Sequence, residues 1–422
     1  MTDDGLAVFL NDRQIGTLTP KRSKASFSFL DEIVQSSMGS PMLSCALLVQ
    51  RDAFNSLQTG NWFTGLLPED TRLTELCRIF GVPQDDYLAV LKEVGWECAG
   101  AVSVKPQADS LATAHFPKSL LLSQTELAQR LDALPGHPYD DTRTLRISLG
   151  GFQAKLCIIA PEPVKVSKGY AQLGEVGIPL DGAMTTHILK PQPEQFSGMI
   201  EGEAWAMAVA SQVTSTAETA LLKMKGAPLT LVVRRFDRVG ASGNFCRLHQ
   251  EDCAQAMGLG PLQKYAASGS PKQNDPSFLR IASLLRSFSL DPGEELKQLF
   301  IQMLVNIALG NTDAHAKNYA FLHPTESTIC LSPLYDVVPA REITPKVLDM
   351  GMRVDGRIRI DRIERDQVIN EARSWGLPAS TAHAVLKEVT EKIRCGIDHA
   401  NDLYPQAGNR HAKASLERLE KL

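Results

Sequence analysis

The apolar run Leu6–Leu10 meets the polar pair Asn11 and Asp12, and apolar positions return at Ile15 and Leu18. That pattern predicts a β-hairpin turning at Asn11 and Asp12. Phe27 and Phe29 alternate with serines, as in a half-buried strand. Helical spacing follows over Asp70–Phe80 and Gln84–Val94, the second after a Gly81-Val82-Pro83 break, and more weakly over Leu47–Leu57. Ala101–Val104 reads as a closing strand and residues 106–120 as a polar connection. A short helix over Gln124–Leu134 should stop at Pro135 and Gly136.

A second stretch, Thr144–Asp237, is rich in short β-like segments: Leu145–Leu149, Leu156–Ile159, Thr186–Leu189 and Leu229–Val233. It holds one clear helix, Glu203–Val213. From Glu251 the period changes to that of helices, over Cys253–Met257, Phe278–Phe288, Gly293–Leu309, Glu364–Trp375, Ser380–Cys395 and Ala412–Leu422. Strands nearly vanish there. The expected fold is α+β and bilobal, a strand-rich N-terminal lobe before an all-helical C-terminal lobe. The expected divisions are an N-terminal α/β subdomain over 1–110, the rest of the N-lobe over 111–245, and the helical lobe over 246–422.

Composition narrows the class. The chain has 422 residues, 43% of them hydrophobic and 22% charged, enough for a large core and too many for one ordinary domain. A net charge of -4 and a pI near 6.2 give no basis for a chain-wide nucleic-acid surface. Eight cysteines are scattered without a C-x-x-C pair, the usage of reduced thiols in a cytoplasmic protein. The first 30 residues lack a basic start and apolar core, and no apolar run reaches membrane-span length.

The most informative segment is Asn306–Asn318, followed by Pro333–Asp336. Asp313 precedes Asn318 by five positions, and Asp336 follows on a separate turn. Protein kinases place a catalytic-loop Asp, a metal-binding Asn and a second metal-binding Asp in this order. Asp313 would orient an acceptor hydroxyl and take its proton, Asn318 and Asp336 would bind Mg2+, and Lys317 would face the transferring phosphoryl group. His315 could alternatively be a nitrogen ligand, but hard oxygen ligands beside phosphates favour magnesium over zinc.

Upstream, Ile147–Lys155 is a glycine-containing turn whose backbone N–H groups could approach phosphate, aided by Lys155 or Ser148. It matches no standard glycine-rich motif, and a plain hairpin turn with a surface lysine fits it too. Lys190 ends an alternating strand, where a kinase lysine reaches the phosphates. Glu203 could orient it, with Glu201 as the competing candidate. Leu229–Arg238 runs from an apolar strand into dense charge, either a hinge where Phe236 and Asp237 frame a nucleotide or an edge strand entering a solvated turn.

Together these segments resemble the HipA family, the serine/threonine-kinase toxins of bacterial type II toxin–antitoxin modules. The resemblance covers nearly the whole chain. It includes Gly65–Leu76, the string Ser148, Gly151, Gln153 and Lys155, the string Thr186–Lys190, Arg235–Arg238, Gln250–Asp252, and Gly310–Asn318 with Tyr335 and Asp336. It implies ATP binding by Gly151, Gln153, Lys155, Lys190 and Glu203, and by Arg234, Phe236, Asp237 and His315. It implies catalysis through Asp313 and Lys317, Mg2+ on Asn318 and Asp336, and self-phosphorylation at Ser148 that silences the enzyme. Arg234 departs from the family pattern, in which an acidic residue usually stands there. The resemblance further implies a helix-turn-helix antitoxin of the HipB type, operator DNA reached through it, and an aminoacyl-tRNA synthetase, such as glutamyl-tRNA synthetase, as substrate. A small-molecule kinase of related architecture and a catalytically weak, antitoxin-bound corepressor are the competing expectations.

Overall fold

The computed structural model describes residues 5–21, 24–107, 118–134, 153–160, 163–241 and 244–422. The expected hairpin is present, Leu6–Leu10 pairing antiparallel with Arg13–Lys21, and Asn11 takes the left-handed conformation at the turn. Lys24–Phe29 and Val102–Pro106 complete a four-stranded sheet. Its inner face packs Phe27 against Phe29, Phe54 and Phe63, with Trp62 alongside Phe63. Helices Ser56–Thr64, Asp70–Phe80 and Tyr87–Val94 cover that core. Leu47–Leu57 is not helical. The helix begins at Ser56 because the Asn55 side chain caps the Leu57 and Gln58 N–H groups. Likewise Asp86 caps Ala89, so the next helix starts at Tyr87 and not at Gln84.

A six-stranded sheet follows, in the order Leu156–Ile158, His187–Pro191, Thr230–Arg234, Thr219–Leu222, Tyr170–Gln172 and Lys165–Ser167. Its pairings are antiparallel except the parallel join of Thr219–Leu222 to Tyr170–Gln172. Lys118–Leu122, inside the stretch read as polar connection, forms a strand with Val176–Leu180. The expected strand Leu145–Leu149 lies outside the described residues. The sheet has two different faces. Leu221, Leu231 and Val233 pack into the core shared with helix Met199–Ser211, whereas Leu189, Ala220 and Val232 face the core around Leu127 and Leu131.

The C-terminal lobe is helical, as expected, with Phe278–Phe288, Pro292–Ala308, Arg365–Ser374, Ala379–Leu403 and Pro405–Leu419 around Phe300 and Trp375. It is not all-helical. His249–Asp252, Ala320–Thr325 and Thr328–Leu331 make a three-stranded sheet, and Asp349–Val354 pairs with Arg357–Arg359. These strands brace the segment read as the catalytic loop from both sides. Helix Ala379–Leu403 ties the lobes together, since Gly396 lies so close to Val209 of helix Met199–Ser211 that a Cβ would stand 2.9 Å from its carbonyl oxygen.

Candidate active site

Helix Pro292–Ala308 ends at Leu309, and Gly310 turns the chain with a φ of 71°. The next residues are held by carboxamides. Asn311 Nδ2 donates to Asn306 Oδ1 at 2.7 Å and to the Asp336 carbonyl at 3.2 Å, tying the loop of Asp313 to the turn of Asp336. Asn318 Nδ2 donates to the Asp313 carbonyl at 3.3 Å, closing the loop on itself. Asp313 is exposed. Burial of much of its surroundings raises its pKa, against a lowering by the hydrogen bond from Tyr265 at 2.6 Å.

Lys190 reaches this turn from the six-stranded sheet. Its ammonium lies 2.7 Å from Glu203 Oε1 and also contacts Asp336 Oδ1, so one cation bridges two elements. Glu203, not Glu201, makes the contact: the helix starts at Met199 and presents Glu203 to the sheet with 1% exposure. Burial alone would discharge Lys190, but the two carboxylates outweigh it and hold the pKa above the ordinary lysine value. Burial pushes Glu203 up, whereas Lys190 overcomes burial at Asp336 and holds that carboxyl down at about 2. Asp336 sits in the left-handed region at φ 59° and keeps its side chain 36% exposed.

Gln153 and Lys155 are among the described residues, whereas Ser148 and Gly151 lie outside them. Burial, then the positive charges of Arg72 and Lys190, bring Lys155 down to about 7. Lys155, Lys190 and Asp336 therefore share one electrostatic environment. Phe236 packs on Tyr335 with ring centroids 5.4 Å apart, and Tyr335 Oη donates to the Lys317 carbonyl. His315 is buried and held neutral, its pKa pushed down to about 3 by burial. Its Nδ1 has no hydrogen-bond partner.

Three expected site residues point elsewhere. Arg234 pairs across the sheet with His187, while Lys190 pairs with Leu231, and alternation puts Arg234 on the face opposite Lys190. There it meets Glu218 at 3.3 Å and lines a separate cavity of about 390 Å³. Asp237 is buried between Arg235 and Arg238 and accepts the Gly100 N–H at 2.7 Å, so its carboxylate braces the N-terminal subdomain. Lys317 does not face the cleft. It is taken up by Asp252 at 2.9 Å, the Gly65 carbonyl at 3.0 Å and Glu69 at 3.7 Å.

The structure adds residues that sequence reading did not single out. Glu69 and Arg72 enter from helix Asp70–Phe80 and its cap, and Tyr265 enters from the loop after Gln263. Nothing in their local patterns marks them, because each acts across a long stretch of chain.

Comparison with known proteins follows the same division. Residues 6–105 match the family model of the HipA N-terminal domain, and residues 147–396 match that of the HipA-like C-terminal domain. A Sinorhizobium fredii protein named "Putative kinase Y4mE" is 30% identical, with 95% of each chain covered. The serine/threonine-protein kinase toxin HipA of Shewanella oneidensis is 25% identical over 80% of this chain and 76% of its own. Among solved structures, HipA from the S. oneidensis toxin–antitoxin complex of HipA, HipB and operator DNA superposes with a TM-score of 0.81. That match has 23% identity and covers 98% of this chain and 96% of the other, and it establishes the fold.

Proposed function

The chain belongs to the HipA family, and on that footing we propose that it is an ATP- and Mg2+-dependent serine/threonine protein kinase acting in the cytoplasm as a toxin. The observation that carries the reading is Lys190 held between Glu203 and Asp336, with an exposed Asp313 close enough to Asp336 for that charge to raise its pKa. A nucleotide phosphate tail would find Lys190 and Lys155 as cations, and Asn318 and Asp336 are the oxygen donors for a divalent ion. Buried polar atoms without hydrogen-bond partners, Glu203 Oε2, Asn311 Oδ1 and His315 Nδ1, fit a site built to receive a polar ligand. Among the described residues no three His, Cys, Asp or Glu side chains cluster as a complete metal site. Magnesium takes one or two protein ligands and relies on phosphate and water for the rest, a role that Asn318 and Asp336 could fill.

MgATP supplies the transferable phosphoryl group, with the metal neutralising charge on its oxygens. The chain's own residues position and exchange a proton. Lys190 is fixed by Glu203 so that its charge meets the phosphates without reorganisation. Asp313, raised above the ordinary aspartate value, accepts the proton of the attacking hydroxyl. The Asn306–Asn311–Asp336 ladder holds the two loops in register. The proposed partners are a HipB-type helix-turn-helix antitoxin, with operator DNA contacted through it, and an aminoacyl-tRNA synthetase, glutamyl-tRNA synthetase first among them, as substrate.

The test is incubation of the purified protein with γ-labelled ATP, Mg2+ and bacterial lysate, followed by mapping of labelled sites. Label on serine or threonine of a synthetase is the expected result. Asp313→Asn should fold normally and lose transfer by about 10²–10⁴, the scale of a positioned acid–base group. Transfer at the wild-type rate by that variant would remove Asp313 from the chemistry, and labelling of metabolites alone would favour a small-molecule kinase.

A further inference from the structure

We propose that Tyr265 is a positioning residue for Asp313, holding one carboxylate oxygen with a single hydrogen bond from an uncharged donor so that the other stays open to the acceptor hydroxyl. The inference rests on the kinase reading above. Tyr265 Oη donates to Asp313 Oδ1 at 2.6 Å, and among the described residues no other side chain hydrogen-bonds that carboxylate.

The choice of donor is informative because two ammonium groups stand nearby. Lys264 and Lys317 flank the same loop, and a lysine carries three donors and a positive charge that could cover both carboxylate oxygens. Neither is available to do so. Lys264 is bound to Glu69 at 2.5 Å, and Lys317 is bound to Asp252, Glu69 and the Gly65 carbonyl. Glu69 of the N-terminal subdomain thus draws Lys264 off the base, and Asp252 draws off Lys317. What remains for Asp313 is a phenol, which has one O–H and can occupy only one oxygen.

Tyr265 is also placed to hold a fixed direction. On one side the Lys264 carbonyl accepts the Ala316 N–H at 3.1 Å, and on the other the Ala266 N–H donates to Gly351 at 2.9 Å. Its ring meets His315 edge-on, with centroids 4.8 Å apart and planes at 87°. The residue keeps 44% exposure, so the hydrogen bond lies at the surface, where a protein acceptor could reach it.

Tyr265→Phe removes the hydroxyl and keeps the ring packing, and thermal melting checks that the fold is retained. Label transfer from γ-labelled ATP to lysate protein is measured at saturating and limiting ATP, and MgATP affinity by calorimetry. The expected result is a fall of about 10- to 100-fold in transfer at saturating ATP, the range for a reacting group misplaced by up to about an ångström. KM for ATP and MgATP affinity should stay within twofold. Transfer within twofold of wild type overturns the proposal, and faster transfer would make the phenol an obstruction to the acceptor. A fall matched by weakened MgATP binding or lost thermal stability would make the role merely structural. Inactive wild-type protein would instead refute the kinase reading itself, so the two failures are distinct.

Discussion

Replacing Glu97 with glutamine perturbs the charge cluster that joins the N-terminal subdomain to the rest of the N-lobe. Glu97 is fully buried and accepts from Arg235 at 3.2 Å, Arg238 at 2.8 Å and Arg247 at 2.7 and 3.1 Å. The Thr185 N–H and hydroxyl donate to it as well, each at 3.1 Å. Asp237 is the second carboxylate, held by Arg235 at 2.7 and 2.9 Å. Three guanidinium groups therefore face two carboxylates, and neutralising Glu97 leaves three against one. Removing one member of a buried ion pair costs about 3–5 kcal/mol, because the remaining charge stays buried without compensation. Glutamine keeps the shape and one acceptor oxygen, which places the expected loss near the lower figure, about 3 kcal/mol.

The loss should appear in urea denaturation followed by tryptophan fluorescence, as earlier unfolding of the N-terminal subdomain that contains Trp62 and Trp96. A chain of this size need not unfold in one step, so the early transition is the quantity to compare. The pH dependence has a definite sign. Burial pushes the Glu97 and Asp237 carboxyls up, but the arginines outweigh it and hold both below the ordinary carboxylate range. Their stabilisation is complete above the unfolded values near pH 4 and is lost as pH falls through the depressed folded values. Wild type should therefore keep its junction at mildly acidic pH. A loss under about 1 kcal/mol for Glu97→Gln would refute the reasoning, because it would mean that apolar packing carries the junction and the ions contribute little.

Lys190→Ala should weaken MgATP binding by at least tenfold, about 1.4 kcal/mol. Unchanged affinity by calorimetry would show that the lysine only bridges protein carboxylates. Gly351→Ala should cripple transfer more than stability, since its Cβ would stand 2.5 Å from the His315 nitrogen and 2.6 Å from the Ala314 carbonyl. Melting and transfer measured on the same sample check this, and normal turnover would show that the loop can yield. Arg234→Glu should leave MgATP affinity within twofold, because the side chain leaves the sheet on the face opposite Lys190. Its repulsion with the exposed Glu218 should cost under about 1 kcal/mol by denaturation, and a tenfold change in affinity would return Arg234 to the cleft.

The elements most legible in the sequence were those whose period and caps agree. Asp70–Phe80 ends at Gly81 in the left-handed conformation, and Phe278–Phe288 starts at a Ser277 that caps Arg280. The strands in the helical lobe were not legible, because His249–Asp252 is polar, short and paired with a segment far along the chain. The site shows the same contrast. Asp313, Asn318 and Asp336 lie close in sequence, and Lys190 and Glu203 are 13 residues apart, so spacing alone could suggest their roles. Tyr265 meets Asp313 across 48 residues, and Glu69 meets Lys264 across 195. No local pattern records such contacts.

Arg234–Arg238 shows where a local observation falls short, since Arg235, Asp237 and Arg238 are buried and the segment is no solvated turn. Its dense charge suggested either a solvated turn or a nucleotide-framing hinge, since isolated ions are costly to bury. Charge density, however, says nothing about compensation. Arg235 meets Glu97 across 138 residues and Asp237 across two, so the charges are buried as a cluster whose second half is encoded elsewhere. Strand parity was the evidence closer at hand. Lys190 and Leu231 are cross-strand partners, as are His187 and Arg234, and each pair must project from one face. Once Lys190 faces Glu203, Arg234 three positions after Leu231 has to face away. The departure from the family pattern at Arg234 therefore lies on the far side of the sheet from Lys190, where exchanging an acid for a base can alter the surface without altering the charges that hold the proposed catalytic loop.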